Sequence, residues 1–218
     1  MKTALLFGSS GLVGGHILNQ LIKDDNYSKI KLFVRSAPEI SNSKIKIVKT
    51  DFNNLEKHIN DIKGDDCFFC IGATKQNSPD KNEYRRVELD IPKQIAQISK
   101  LNSVNSFIFI SSGYASSNSS GDYLKFKGLV EEQLIHLNFS KLGIMRPSFL
   151  LGERKQKRVG EKIGIFVFKL LSPFFVGPLK RMKPIHSAIV AKAMIRAANE
   201  DLQKKIFESN EIVNLNLD

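Results

Sequence analysis

The stretch "GSSGLVGG", Gly8 to Gly15, constrains the chain more than any other because of what flanks it. The apolar run "TALLF" precedes it, and an amphipathic pattern with Val13, Ile17, Leu18 and Leu21 on one face follows from Leu12 to Ile22. A strand that turns through glycine straight into a helix leaves the first N–H groups and the positive dipole end of that helix facing the turn. In that setting Gly8 permits the tight turn, Gly11 lets the backbone approach a pyrophosphate, and Gly14 lets the helix pack close to the strand. Ser9, Ser10, Leu12 and Val13 complete the phosphate-facing loop. A plain turn is the alternative, and the strand and helix on either side argue against it.

The same alternation runs on. "IKLFVR", "IKIVKTD", "CFFCIGA", "SFIFISS" and "SKLGIMRP" read as further strands, apolar throughout as strands covered on both faces are. Helical patterns separate them: Lys81 to Leu101, kinked or ended in its first part at Pro92, and Tyr123 to Leu137. Another helix is expected over Ser187 to Ala198. The expected fold is therefore α/β, a doubly wound parallel sheet of the Rossmann type. With 218 residues, one domain is expected, with a small cap formed by residues of about 148–186.

Composition removes several other functions. The formal net charge is +11, but the densest basic run, "ERKQKR", has no aromatic interleaving to stack bases, which speaks against a nucleic-acid partner. It reads as a solvated loop near a polyanionic ligand. The longest apolar stretch, Ile163 to Leu179, contains Lys169, Pro173 and Pro178 and is shorter than the roughly 20 residues a bilayer helix needs. Cys67 and Cys70, three apart in a strand, point to opposite faces and are badly placed to bridge, so buried thiols in a reducing cytoplasm are expected. The histidines do not cluster with acids or cysteines at ligand spacing, and no metal site is expected. His186 reads as a helix-capping or surface residue, with a pocket-facing position as the alternative.

The spacing G-x-x-G-x-x-G, "YLKFKG" with Tyr123 and Lys127 on one helix face, and "RPSFLLG" from Arg146 together resemble the extended and atypical short-chain dehydrogenase/reductase superfamily. Within it, the chain looks most like the group of Tat-interacting oxidoreductase-like and nucleoside-diphosphate-sugar epimerase-like proteins. The resemblance implies a tyrosine hydroxyl, Tyr123, that exchanges a proton with the substrate oxygen while hydride moves to or from a nicotinamide. Lys127 would hold the nicotinamide ribose and favour the phenolate, because a free phenol titrates near pH 10. Ser112 would orient the carbonyl, with Ser111 and Ser116 as competitors; Gly113 stands where extended members often have another small hydroxyl residue.

The resemblance also places Asp51 and Phe52 near the adenine, Gly72, Ala73 and Thr74 beside the ribose, and Pro147 and Phe149 against the nicotinamide. Arg35, about 20 residues past the glycines, stands where an acid would grip free ribose hydroxyls, and with Ser36 it suits a 2′-phosphate. NADP(H) is thus the preferred cofactor and NAD(H) the alternative. The chain ends about 100 residues before a typical extended member would, which suits a small carbonyl or hydroxyl compound better than a nucleotide sugar. Two functions follow: an NADP(H)-dependent oxidoreductase, or an NADPH-binding sensor or scaffold without turnover. An epimerase- or dehydratase-like enzyme and a homodimer are compatible with the same residues.

Overall fold

The structure is a computed structural model, and it describes residues 1–73, 80–152 and 183–217. The first apolar run is strand β1 (Lys2–Phe7), and helix α1 (Leu12–Lys23) follows the glycine turn. Then come β2 (Tyr27–Val34), β3 (Ile45–Lys49), a short 3-10 turn at Leu55–His58, and β4 (Asp66–Phe69). The predicted helix over Lys81 to Leu101 is one helical run in three parts. They are α2 (Lys81–Arg85), a π-helical turn at Arg86–Asp90, and α3 (Ile91–Leu101). Pro92 stands in the first turn of the last part, where a missing N–H is tolerated. It cannot donate to the carbonyl of Glu88 four residues earlier, and the helix widens just before it.

The second half continues the alternation with β5 (Ser106–Ile110), α4 (Asp122–Leu137) and β6 (Lys141–Arg146). Strands β7 (Leu150–Leu151) and β8 (Ile185–His186) pair with each other apart from the main sheet. Helix α5 (Ser187–Asn199), strand β9 (Ile206–Glu208) and helix α6 (Ser209–Asn214) complete the chain. The last strand and helix have no forerunner in the sequence reading: β9 is three residues long, too short to carry a period. Most of the expected cap, including "ERKQKR" and the apolar stretch to Leu179, lies outside the described residues, as does Thr74. Among the described residues no helix is long and apolar enough to cross a membrane.

The main sheet is wholly parallel in the order β3-β2-β1-β4-β5-β6-β9. Alternation along each strand divides two cores. Ala4 and Leu6 of β1 pack with Ile17 and Leu21 of α1 and Val190 and Met194 of α5. Leu5 and Phe7 face the other way, onto Ile95 of α3 and Val130 and Leu134 of α4. On that second face a row of phenylalanines crosses the sheet: Phe33 stacks on Phe7 at 4.3 Å between ring centroids, Phe7 lies 5.8 Å from Phe69, and Phe69 5.9 Å from Phe109. Cys67 joins this core while Cys70 packs toward the opposite one, so the two thiols do diverge across the sheet. Burial pushes both thiols up from their ordinary range.

At the amino ends of the strands the buried Asp66 carboxylate is fully engaged. It accepts from Tyr27 Oη at 2.7 Å and Ser106 Oγ at 2.6 Å and pairs with Lys2 Nζ at 3.0 Å. Polar groups this deep survive only when partnered. The free end of the sheet is the opposite one. Strand order reverses between β1 and β4, and the crevice that such a reversal opens lies at their carboxyl ends.

Candidate functional site

Gly8 follows β1 and enters that crevice with φ +88°, a left-handed conformation that glycine adopts without strain. A Cβ there would stand 2.7 Å from the Cys70 carbonyl carbon, so the two switch-point strands approach each other only because Gly8 has no side chain. At Gly14 a Cβ would fall 2.1 Å from the Gly8 carbonyl oxygen, which gives that glycine its packing task. Gly11 is exposed and N-caps α1 without any side-chain cap, and the first turn of α1 holds no acid. Ser10 is exposed beside it, Ser9 and Val13 are buried, and Leu12 is half-buried. Gly152 closes over this turn, since a Cβ there would lie 2.8 Å from Leu12 Cδ1.

Arg35 and Ser36 stand exposed past β2. Arg35 borders an open recess of about 360 Å³, together with Lys49, Asp51, Lys57 and His58. The sequence reading missed Lys49 and Lys57; nothing in their local pattern distinguishes them from other surface lysines. The Asn53 backbone N–H, at 2.9 Å, holds the exposed Asp51 carboxyl below its ordinary range. Phe52 has φ 62°, and its ring is in the core 6.5 Å from Phe7 rather than in the recess. Arg86 secures that turn by donating to the Phe52 carbonyl at 3.2 Å while paired with Glu83.

Helix α4 begins at Asp122 and carries Tyr123 and Lys127 one turn apart. Tyr123 is 38% exposed, whereas Lys127 is 3% exposed. The Lys127 ammonium lies 6.0 Å from the centroid of the Tyr123 ring and 4.9 Å from that of Phe109. Its polar partners are the Ile110 carbonyl at 3.3 Å and the Glu88 carboxylate at 3.0 Å. Burial works against the charge of Lys127, but Glu88 foremost and then Tyr123 outweigh it, and the ammonium is held above the ordinary lysine range. Glu88 itself is buried, and its other oxygen accepts from the Ala73 backbone N–H at 2.5 Å. A Cβ on Gly72 would lie 3.4 Å from that oxygen.

Sequence reasoning missed Glu88. The signal was an acid inside the apolar face of the helix, between Tyr84 and Leu89, and burial of a carboxylate requires a partner.

The serine-rich loop after β5 separates its candidates. Ser111 is buried and donates to Glu131, which also receives the Arg146 guanidinium. Arg146 reaches Glu208 at 3.2 Å and the Ala115 carbonyl at 3.1 Å as well. Ser111 is therefore committed to a network that joins the ends of β5, β6 and β9 to α4. Ser112 is half-buried, its hydroxyl 3.4 Å from the Gly113 carbonyl. Ser116 is exposed, and its backbone N–H donates to the Leu124 carbonyl at 3.1 Å. The loop lies directly on Gly128: a Cβ there would be 2.2 Å from Ser117 N.

Buried Pro147 accepts from the Gly113 N–H at 2.9 Å, bringing the β6 turn against the serine loop, and Phe149 follows with 55% exposure. Tyr114, 59% exposed at φ 65°, stands on the same loop. His186 caps α5, accepting from the Ala188 N–H at 3.4 Å, as the capping reading of this residue expected.

A family profile described as NAD(P)H-binding matches residues 8–162. FMP52 of Meyerozyma guilliermondii, named a mitochondrial protein, is 32% identical over 92% of this chain and 87% of its own. FMP52-1 of Scheffersomyces stipitis, also named mitochondrial, is 29% identical over 98% of each chain. Rat HTATIP2 is 26% identical over all of this chain and 90% of its own. These names correct the expected compartment: the mitochondrial designations of the yeast relatives overturn a cytoplasmic assignment.

Among solved structures, the Bordetella bronchiseptica enzyme WbmH in complex with NAD+ superposes with a TM-score of 0.70 at 18% identity, over 95% of this chain and 75% of that one. A UDP-N-acetylglucosamine 4-epimerase from Methanobrevibacter ruminantium gives 0.70 at 19%, over 94% and 75%. At these identities the likeness is one of fold. The sheet order, the glycine turn at its switch point and the matched profile agree, and the chain is a member of the NAD(P)H-binding family, of the atypical short-chain dehydrogenase/reductase type.

Proposed function

We propose that the protein is an NADP(H)-dependent oxidoreductase acting on a small carbonyl or hydroxyl compound through Tyr123, Lys127 and Ser112. The observation that carries the reading is the pair on α4. A phenol open to solvent stands one turn from a buried ammonium, beside the crevice that the glycine turn borders. The residues suit a dinucleotide: the bare, acid-free start of α1 suits a pyrophosphate, and Arg35 with Lys49 and Lys57 suits a further phosphate at the far end. When bound, the nicotinamide supplies or accepts hydride.

The chain's own residues handle the proton. The Tyr123 hydroxyl donates to the substrate oxygen as it gains charge, and Ser112 donates a hydrogen bond to the same oxygen. The bond of Ser111 to Glu131 favours Ser112 for that task. Lys127 contributes a fixed positive charge beneath the phenol, in a site where low dielectric strengthens it. Following its yeast relatives, we place this activity in the mitochondrion.

The test is NADPH oxidation over a panel of aldehydes, ketones and quinones, with wild type and Tyr123→Phe. General acid–base groups contribute about 10²- to 10⁴-fold, so Tyr123→Phe is expected to lose at least about 10²-fold in kcat with NADPH affinity nearly unchanged. Activity that survives the substitution contradicts the mechanism. Tight NADPH binding with no turnover of any compound favours a cofactor sensor instead.

A further inference from the structure

We propose that Glu88 is the positioning residue of this site: seated by the π-helical turn, its carboxylate holds the Lys127 ammonium with one oxygen and the Ala73 backbone N–H with the other, fixing lysine and cofactor-side loop to one group. The inference rests on the function proposed above, in which Lys127 and the loop after β4 both serve the dinucleotide. The distances are 3.0 Å to Lys127 and 2.5 Å to Ala73 N, and Glu88 is 1% exposed.

A carboxylate so deep in the protein is costly unless fully partnered, and here each partner belongs to the site rather than to the core. Glu88 lies within the π turn, Arg86–Asp90, and is buried there beside Leu89. Such turns are frequent at functional sites.

Among the described residues the titratable groups around Lys127 are few. Glu88 faces it from the π turn, Tyr123 from α4 and Cys70 from the end of β4; Tyr84 on α2 and Asp122 on α4 lie one step beyond, beside Tyr123. Among them Glu88 is the principal support for the lysine's charge, against burial that opposes it. Removing the carboxylate while keeping its shape leaves burial unopposed. The lysine then sheds its proton at a lower pH, and a polyanionic cofactor loses a positive charge nearby.

The experiment is NADPH affinity measured by nicotinamide fluorescence from about pH 7 to about pH 9.5, in a range where a desolvated lysine titrates. Wild type is expected to change little, and Glu88→Gln to lose roughly tenfold in affinity across the range. Glu88→Gln/Lys127→Met, with neither charge, is expected to show no such fall and to recover the stability that the single variant loses.

A Glu88→Gln profile parallel to wild type overturns the proposal and leaves Glu88 a structural group. Should Glu88→Gln not fold, the double variant decides: a pH-dependent fall in its affinity overturns the proposal. Failure of the underlying function is read separately. If Lys127→Ala binds NADPH as wild type does, Lys127 does not serve the cofactor, whatever Glu88 does.

Discussion

In the proposed NADP(H) site Arg35 takes the place of the carboxylate that would hold free ribose hydroxyls, and Lys49 and Lys57 share its recess. A charge-assisted bond to a 2′-phosphate is worth about 1 to 3 kcal/mol, so NADPH should bind roughly 5- to 150-fold tighter than NADH. Arg35→Asp is expected to reverse the order, because it adds repulsion of the phosphate to the loss of attraction. Calorimetric titration with both cofactors checks this, and equal affinities in wild type contradict it. Individual residues of the turn were legible where a motif fixed their packing, as at Gly8 and Gly14. Lys49 and Lys57 were not, because their place beside Arg35 arises from the end of another strand and a turn, and Glu88 showed only as an acid within an apolar helix face.

Helix α4 shows how one element serves two ends. Its outer turn presents Tyr123, while Gly128, next to Lys127, lets the serine-rich loop lie on the helix backbone. A methyl at Gly128 meets Ser116 and Ser117 backbone atoms within 2.6 Å, so the loop must lift. Gly128→Ala is expected to cost about 1 to 3 kcal/mol as overpacking, a fall in Tm of roughly 2 to 12 °C for a chain of this size. Thermal unfolding measures it, and an unchanged Tm contradicts the packing described.

The helix boundaries themselves were readable. Leu12, Lys81, Leu101, Leu137 and Ser187 end or begin helices where apolar periodicity begins or ends. What periodicity did not reveal was the π turn before Pro92, since a single widened turn leaves the sequence pattern on both sides intact.

On the scale of the whole molecule, the parallel sheet and its reversal between β1 and β4 bring residues from distant parts of the chain to one crevice: Gly8, Cys70, Glu88 and Lys127. Six of the seven strands of the main sheet follow from apolar runs in the sequence, and their alternation with helices implies the doubly wound order. Strand β9 escapes because its pairing rests on β6 and on the Arg146–Glu208 contact rather than on its own composition.

The glycine turn at the reversal is the proposed pyrophosphate seat, and cofactor-dependent thermal unfolding of the intact chain tests it most directly. At about 100-fold its Kd, NADPH should add about 2.7 kcal/mol to the folded state, a rise in Tm of roughly 5 to 10 °C. Ser10→Glu puts a carboxylate on an exposed position of the turn. It should leave the ligand-free Tm nearly unchanged, as surface substitutions do, and abolish most of the rise at the same NADPH concentration. A wild-type chain indifferent to NADPH, or a Ser10→Glu chain stabilised as fully as wild type, would contradict the assignment.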